Sequence, residues 1–316
     1  MVKLYMKRVS NYSLLLTIGC VRPGALYTLH KSQPPLPQKF VQNDEQKTID
    51  FFSCLWYNIY VERERTAIPY DRKEENKMNI HELNPKRDLY LVVDIETANH
   101  TEDALAYDVG FAIADRYGNI YEKHSFVCSD IFVFEADLMQ TAYYSRKIPE
   151  YHADLERGER TMASLYEIRK VIHDLYGRYK YKAIMAYNAF FDSNGLNRTQ
   201  RYVTKSKYRW FFPYGVPIHC IWHMACQVIC SQKKYYDFCI ANDFVSKSGN
   251  IQTSAEVVYK FITGNIDFEE EHKGLEDVLI ETQIFAECVK KHKKMNRKIN
   301  RACWRIPQRK KKKGAE

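Results

Sequence analysis

The sequence predicts an α/β fold: a mixed sheet of three antiparallel strands and then parallel strands, flanked by helices. Two observations predict it. Three strand-like segments follow one another in hairpin style between residues 89 and 128. From residue 161 onward, helical and strand-like patterns alternate, the order expected of parallel strands with helices packed over them. No internal repeat is visible.

Each element has its own signal. Leu89-Tyr-Leu-Val-Val-Asp-Ile95 is a short apolar run ending in carboxylates and reads as a buried strand. Tyr107 to Asp115 is a second strand, Gly118-Asn119 a turn, and Ile120 to Cys128 the strand returning from it. Apolar residues at 162, 165, 168, 171, 172 and 175 predict a helix over Thr161 to Tyr176, with Thr161 as its N-cap. Ala183 to Tyr187 is another short strand, followed by a helix from Ala189. Ile218 to Trp222 reads as the last strand, with a helix running on through Ile229. Ala255 to Ile262 and Leu275 to Lys290 are further helices.

Composition excludes several classes. The 316 residues are 45% hydrophobic and 28% charged, which suits a globular chain rather than a disordered one. No run approaches the roughly 18–20 consecutive apolar residues of a spanning helix, so no membrane partner is expected. The net charge of +9 is uneven. Residues 290–316 hold 13 Lys and Arg against one acidic residue, whereas the first 289 hold 35 against 38. The body is slightly acidic and the basicity is mostly a tail. Nine cysteines without a framework spacing suit free thiols in a reducing compartment. Leu14 to Gly19, behind Lys3, Lys7 and Arg8, is shorter than the about 7–15 apolar residues of a secretory segment. The expected location is the cytoplasm.

Residues 1–77 differ from the rest. Gln33-Pro34-Pro35-Leu36-Pro37 fits neither a helix interior nor a central strand. Ile49 to Val61 fits one helix or one strand. Arg72-Lys73-Glu74-Glu75-Asn76-Lys77 can be encoded AGG AAG GAG GAA AAT AAA ahead of the ATG of Met78, a ribosome-binding sequence before a start codon. Translation from Met78 is therefore one expectation for this segment and an ordinary charged linker is the other; the DNA sequence at these codons separates them. The domain division expected is an extension over 1–77, a catalytic-type domain over 78–294 and a basic, disordered tail over 295–316.

Three elements carry chemistry. In Asp94-Ile95-Glu96-Thr97, residues i and i+2 of a strand share a face, so two carboxylates project together. Like charges so placed repel unless a cation is present, and oxygen ligands suit Mg²⁺ or Mn²⁺. Alone, the motif is more simply read as a strand end entering solvent. In Asn188-Ala-Phe190-Phe191-Asp192, Asn188 and Asp192 line one face of a first helical turn. An Asn N-cap with a dipole-favoured acid is the plainer account of that pair alone. In His272-Lys273-Gly274-Leu275-Glu276-Asp277, a loop histidine precedes an acid in the first turn of a helix.

Taken together, the order and spacing resemble the DnaQ-like, DEDDh family of 3′–5′ exonucleases, which has a ribonuclease H-like fold. The resemblance rests on Asp94-x-Glu96-Thr97, Asn188-x-x-x-Asp192 and His272-x-x-x-x-Asp277, and spans about Lys86 to His292. A sister subfamily carries Tyr-x-x-x-Asp at the last motif; residue 273 here is Lys, so the histidine type applies. Gly274 and Val278 stand where alanine is usual. The resemblance implies that Asp94, Glu96, Asp192 and Asp277 hold two divalent ions, Mg²⁺ or Mn²⁺, one to lower the pKa of a water and one to stabilise the leaving 3′-oxygen. It implies that His272 is the general base, that Thr97 contacts the terminal nucleotide, and that Asn188 helps position the strand. Phe190 and Phe191 either stack on bases or pack, with packing favoured for at least one. The partner implied is a nucleic acid 3′ end, with DNA favoured over RNA. Proofreading would need a partner polymerase, because the chain contains no polymerase region. An RNA-trimming exonuclease and a module that grips 3′ ends without cutting are the competing readings.

Weaker signals remain. Arg198, Arg201, Lys205, Lys207 and Arg209 interleave with Tyr202, Tyr208 and Trp210, which suits either single-stranded substrate or a solvated helix face. Arg309 with Lys310 to Lys313 would add non-specific phosphate affinity. His219, Cys220, His223, Cys226, Cys230 and Cys239 lack the paired spacing of a zinc site, so core cysteines are favoured. Gln46-Lys47-Thr48-Ile49-Asp50-Phe51 resembles a short peptide that docks on bacterial sliding clamps.

Overall fold

The computed structural model describes residues 2–10 and 13–20 as backbone, and residues 88–207 and 210–308 in full. The Ile49–Val61 element, the Met78 start, the clamp-like peptide, Tyr208, Arg209 and the Arg309–Lys313 run lie outside the described residues. By internal contacts the chain forms two units, Met1–Phe51 and Phe52–Glu316. In the first, β1 (Val2–Ser10) and β2 (Ser13–Cys20) pair antiparallel, from Val2 opposite Cys20 to Ser10 opposite Ser13. The short apolar run weighed above as an export signal is thus part of a strand.

The second unit is built on a six-stranded mixed sheet. Its strands are β3 (Leu89–Ala98), β4 (Leu105–Asp115), β5 (Ile120–Cys128), β6 (Thr161–Ala163), β7 (Ile184–Ala186) and β8 (Ile218–Cys220). They run in the order β6-β5-β4-β3-β7-β8. β3, β4 and β5 are antiparallel, and β6, β7 and β8 join in parallel. This is the predicted α/β class. Alternate residues of β3 serve two cores. Leu91, Val93 and Ile95 enter one with Ile168, Ile172 and Leu196, and Tyr90 and Val92 enter the other with Met224, Val258 and Phe285. Every residue of β4 is buried, as a central strand covered on both faces requires.

The helices differ from expectation in two places. Thr161 is not an N-cap. Thr161 to Ala163 pairs with Phe126 to Cys128 as an edge strand, and helix α4 (Leu165–Tyr179) starts after Ser164. The reason is a capping box: Ser164 Oγ accepts from the Glu167 amide, and the Glu167 carboxylate accepts from the Ser164 amide. Likewise the last strand ends at Cys220 rather than Trp222, which belongs to helix α6 (Ile221–Val228). Residues 129–160, to which the sequence reading assigns no element, form α1 (Ser129–Phe132), α2 (Ala136–Met139) and α3 (Ile148–Arg157). Helices α5 (Ala189–Thr204), α8 (Ala255–Thr263) and α9 (Gly274–Lys290) lie where periodicity places them, and α7 (Lys233–Ala241) is additional. Residues 295–308, beyond the expected domain boundary, remain packed. The Cys220 amide donates to the Arg297 carbonyl, Cys303 is fully buried, and Gln308 bonds both the amide and the carbonyl of Ile251.

One close approach sets where α9 begins. Gly110, mid-way along β4 and opposite Asp94, lies against Gly274. A Cβ on Gly110 would sit 2.1 Å from the Gly274 carbonyl carbon and 2.1 Å from the Leu275 nitrogen. The Gly274 amide also donates to Asp108 Oδ2 at 2.9 Å. Gly110→Ala must therefore displace the start of α9, at a cost of about 3 kcal/mol. In thermal unfolding it should lower Tm by several degrees. Gly177→Ala, in α4 with open space around it, should instead raise stability by about 0.5–1 kcal/mol. Equal Tm values for the two variants would contradict this account.

Candidate active site

All eight side chains singled out from sequence line one cleft of about 730 Å³: Asp94, Glu96, Thr97, Asn188, Phe191, Asp192, His272 and Asp277. The fold explains the convergence. Asp94 and Glu96 continue the β3 face begun by Tyr90 and Val92, the face against which α9 packs. A register shift between Glu96 and Thr97 ends the regular alternation and re-aims Thr97. Asn188 sits at the turn from β7 into α5. It occupies the N-cap position, but its side chain makes no capping hydrogen bond and faces the cleft. Asp192 in the first turn of α5 is 3% exposed, and Asp277 in the first turn of α9 is 5% exposed. The oxygen or nitrogen atoms that Glu96, His272 and Asp277 could offer a cation lie within 4.8 Å of one another.

Burial and mutual repulsion dominate the electrostatics. Burial, then the charge of Asp108 and Asp277, pushes Glu96 up to about 9. Burial, then Glu270, Glu276 and Asp108, pushes Asp277 up to about 9. Asp192 rises to about 7 through burial, held back by backbone amides including that of Ile95. Asp94 is raised well above the carboxylate range by burial and by Glu281, Asp192, Asp277 and Glu96. Asp277 Oδ1 and Glu281 Oε2 are buried without any hydrogen-bond partner. Orphaned anionic oxygens of this kind are costly unless a cation meets them. An all-oxygen carboxylate set is the chemistry that Mg²⁺ or Mn²⁺ takes, so these residues fit such ions.

His272 is placed by its neighbours. Its backbone adopts φ 48°, a left-handed conformation costing about 1–3 kcal/mol in a non-glycine residue. Tyr144 stacks on the imidazole with ring centroids 4.3 Å apart and planes 13° from parallel. Glu270 lies 3.8 Å from Nδ1. Burial, with Lys147 and Arg146 nearby, lowers the His272 pKa below its ordinary 6.5, so the ring is neutral at physiological pH.

Sequence reasoning missed Tyr144, Glu270 and Glu281, which also line the cleft. Glu281 was accessible to it: four residues after Asp277, it shares that helix face. Tyr144 carries no such signal, because it comes from a segment without periodicity. A buried network behind the cleft was missed as well. The Arg160 guanidinium, 3% exposed, bonds Asp108 at 3.1 Å, Asp154 at 3.0 Å, Ser125 at 2.7 Å and Glu276 at 2.6 Å.

The weaker signals resolve as follows. Arg301 lies over the Phe190 ring at 4.3 Å, while Phe191 both packs on the core and lines the cleft. Arg198 donates to the Thr101 carbonyl, Tyr202 donates to Glu135, Lys205 lies over the Tyr202 ring, and Trp210 is exposed. Cys220, Cys226, Cys230 and Cys239 are buried in the core, and His223 is bonded to the Lys298 carbonyl and to Gln227. Among the described residues, no helix is long and apolar enough to cross a membrane.

No protein-family model matches the chain, and no curated protein matches it. Solved structures similar to it include Escherichia coli exonuclease I bound to a 5cy-dT13 oligonucleotide, at 13% identity and TM-score 0.39 over 66% of this chain and 41% of that one. The same enzyme bound to dT13 is similar at 12% identity and TM-score 0.39, over 64% and 41%. A full-length 3′-exonuclease is similar at 13% identity and TM-score 0.44, over 69% and 89%. The chain thus spans about two fifths of the length of the exonuclease I structures it matches.

The raised carboxylates give a signed prediction. A carboxyl whose pKa is higher folded than unfolded favours folding when protonated, and that contribution is lost as pH rises through the folded value. Ordinary carboxylates titrate near 4, whereas Asp192 titrates at about 7 and Glu96 and Asp277 at about 9. The metal-free protein should therefore lose Tm progressively between about pH 4 and pH 9. Millimolar Mn²⁺ should restore Tm most at the alkaline end. A flat metal-free profile, or a Mn²⁺ effect independent of pH, would refute it.

Proposed function

We propose that the chain is a metal-dependent 3′–5′ exonuclease, acting on DNA and releasing nucleoside 5′-monophosphates. The observation that carries the proposal is the convergence of Asp94, Glu96, Asp192 and Asp277, from three separate chain segments, in one cleft with a neutral histidine beside them. Four carboxylates lining one cleft, one of them with a buried unpartnered oxygen, suit two divalent ions, and five such residues from three chain segments rarely converge on one chemistry by packing alone.

Divalent ions held there would supply Lewis acidity and charge neutralisation at the scissile phosphate. The protein's own groups supply the rest. His272, neutral at working pH, takes the proton of the attacking water on a ring nitrogen. Tyr144 stacked on the ring and Glu270 beside Nδ1 fix the ring's plane and orientation. Thr97, Asn188 and Phe191 line the same cleft and hold the terminal nucleotide, its base against Phe191. The exposed Trp210, with Arg198 and Arg201 on α5, offers further contacts to a single strand. A proofreading role would place a polymerase beside this chain.

The test is incubation of the purified protein with 5′-labelled 3′-overhang DNA and with RNA of matching sequence, each with Mg²⁺, Mn²⁺ or chelator, beside an Asp94→Ala control. The expected result is a metal-dependent ladder of shortened DNA, absent in the control. Preferential shortening of RNA would reassign the substrate, and retention of both strands without cleavage would establish a binding module. His272→Ala should lower kcat by about 10²–10⁴-fold. Because the His272 pKa lies below 6.5, the acidic limb of the wild-type kcat/KM profile should fall below that pH. A limb above pH 7 would exclude His272 as the base.

A further inference from the structure

Glu281 belongs to no motif that the sequence singles out, yet it occupies the floor of the cleft. It lies on α9 one turn beyond Asp277, and its side chain is 3% exposed. It lines the same cleft as Tyr187, Asn188 and Asp192. One of its oxygens, Oε2, is buried without a partner, as is Asp277 Oδ1, and both residues line the cleft. Two orphaned carboxylate oxygens on successive turns of one helix that lines a cleft are what a cation-binding wall presents.

We infer that Glu281 is a fifth carboxylate of the cation site, contributing directly to divalent metal affinity. The inference rests on the metal-dependent reading above and extends it. A glutamate serving only as packing would need neither a free oxygen toward the cleft nor a place among four other acids, where its charge is repelled from every side. Two dications balance four carboxylates; the fifth leaves the filled site with one negative charge in excess, which strengthens the hold on the ions. Removing that charge should weaken metal binding while relieving repulsion in the metal-free protein.

The test is titration of the full chain with Mn²⁺ alone, without nucleic acid, by calorimetry and by thermal shift at pH 8. Wild type is compared with Glu281→Gln, Glu281→Asp and Asp94→Asn. Glu281→Gln should weaken Mn²⁺ binding about tenfold or more, shrink the Mn²⁺-induced rise in Tm and raise the metal-free Tm. Glu281→Asp, which keeps the charge, should retain most of the affinity; its retention supports the inference even if the Gln variant does not fold. Mn²⁺ affinity in Glu281→Gln within twofold of wild type, with Asp94→Asn abolishing binding, would overturn this inference and leave the metal site standing. Absence of Mn²⁺ binding in wild type would overturn both.

Discussion

The contact between Gly110 and Gly274 is the constraint on which the site depends. β4 is covered on both faces, and where it passes opposite Asp94 it carries no side chain. The first turn of α9 therefore rests directly on strand backbone, closer than any Cβ would allow. That proximity brings Asp277 and Glu281 to a face already occupied by Asp94 and Glu96. A side chain at either glycine would clash with backbone and push the first turn of α9 away from the strand. The hydrogen bond from the Gly274 amide to Asp108 then fixes the helix along its axis, with the carboxylate at a helix N-terminus where the macrodipole favours it.

Asp108 and Glu96 are opposite one another in the β3–β4 register, yet their surroundings divide them. Asp108 meets the Arg160 guanidinium, the Tyr151 hydroxyl and the Gly274 amide, so its charge is matched on every side. Lys273 extends the same network through Asp154 and Glu150. On the cleft side, among the described residues, no cation of the protein forms an ion pair with Glu96, Asp277 or Glu281, although Lys147 acts on Asp277 at longer range. Breaking a buried pair by removing one partner typically costs about 3–5 kcal/mol, which makes Arg160 a structural cation for the wall behind the site. The chain thus compensates the acids that hold the fold and leaves bare the acids that face the cleft.

How legible this was differs by element, for physical reasons. The strands at 89–95 and 107–115 are visible because buried strands are largely apolar, the strand at 120–128 because a Gly118-Asn119 turn precedes it, and α9 because it is amphipathic. The Asp94/Glu96 pair follows from the two-residue period of a strand, and Asn188/Asp192 from the four-residue spacing of a helix. The start of α4 was misplaced because Thr161 and Ser164 both look like caps; the Glu167 carboxylate three residues after Ser164 decides between them. Within residues 129–160, α1 and α2 are a single turn each, too short for any period to show, whereas α3 carries Ile148, Tyr151 and Leu155 at helical spacing. Tyr144 and Arg160 come from that stretch, so their parts in the site depend on tertiary packing that local pattern does not encode. Glu281 is the reverse case: its spacing from Asp277 was readable, and only its burial shows that the spacing matters.

The His272 loop brings these threads together. A left-handed residue ahead of α9 is strained, and strain persists only where the surroundings over-determine it. Here Tyr144 holds the ring by stacking, Lys147 donates to the Glu271 carbonyl, and Lys273 is anchored by Asp154. Each contact reaches the loop from the 140–160 segment, so the imidazole is located by a part of the chain that bears no carboxylate of the cleft. Acids and base are therefore positioned by separate devices, the glycine contact for one and the aromatic stack for the other. A change at Tyr144 can then alter proton transfer without disturbing cation binding, and a change at Glu281 can do the converse.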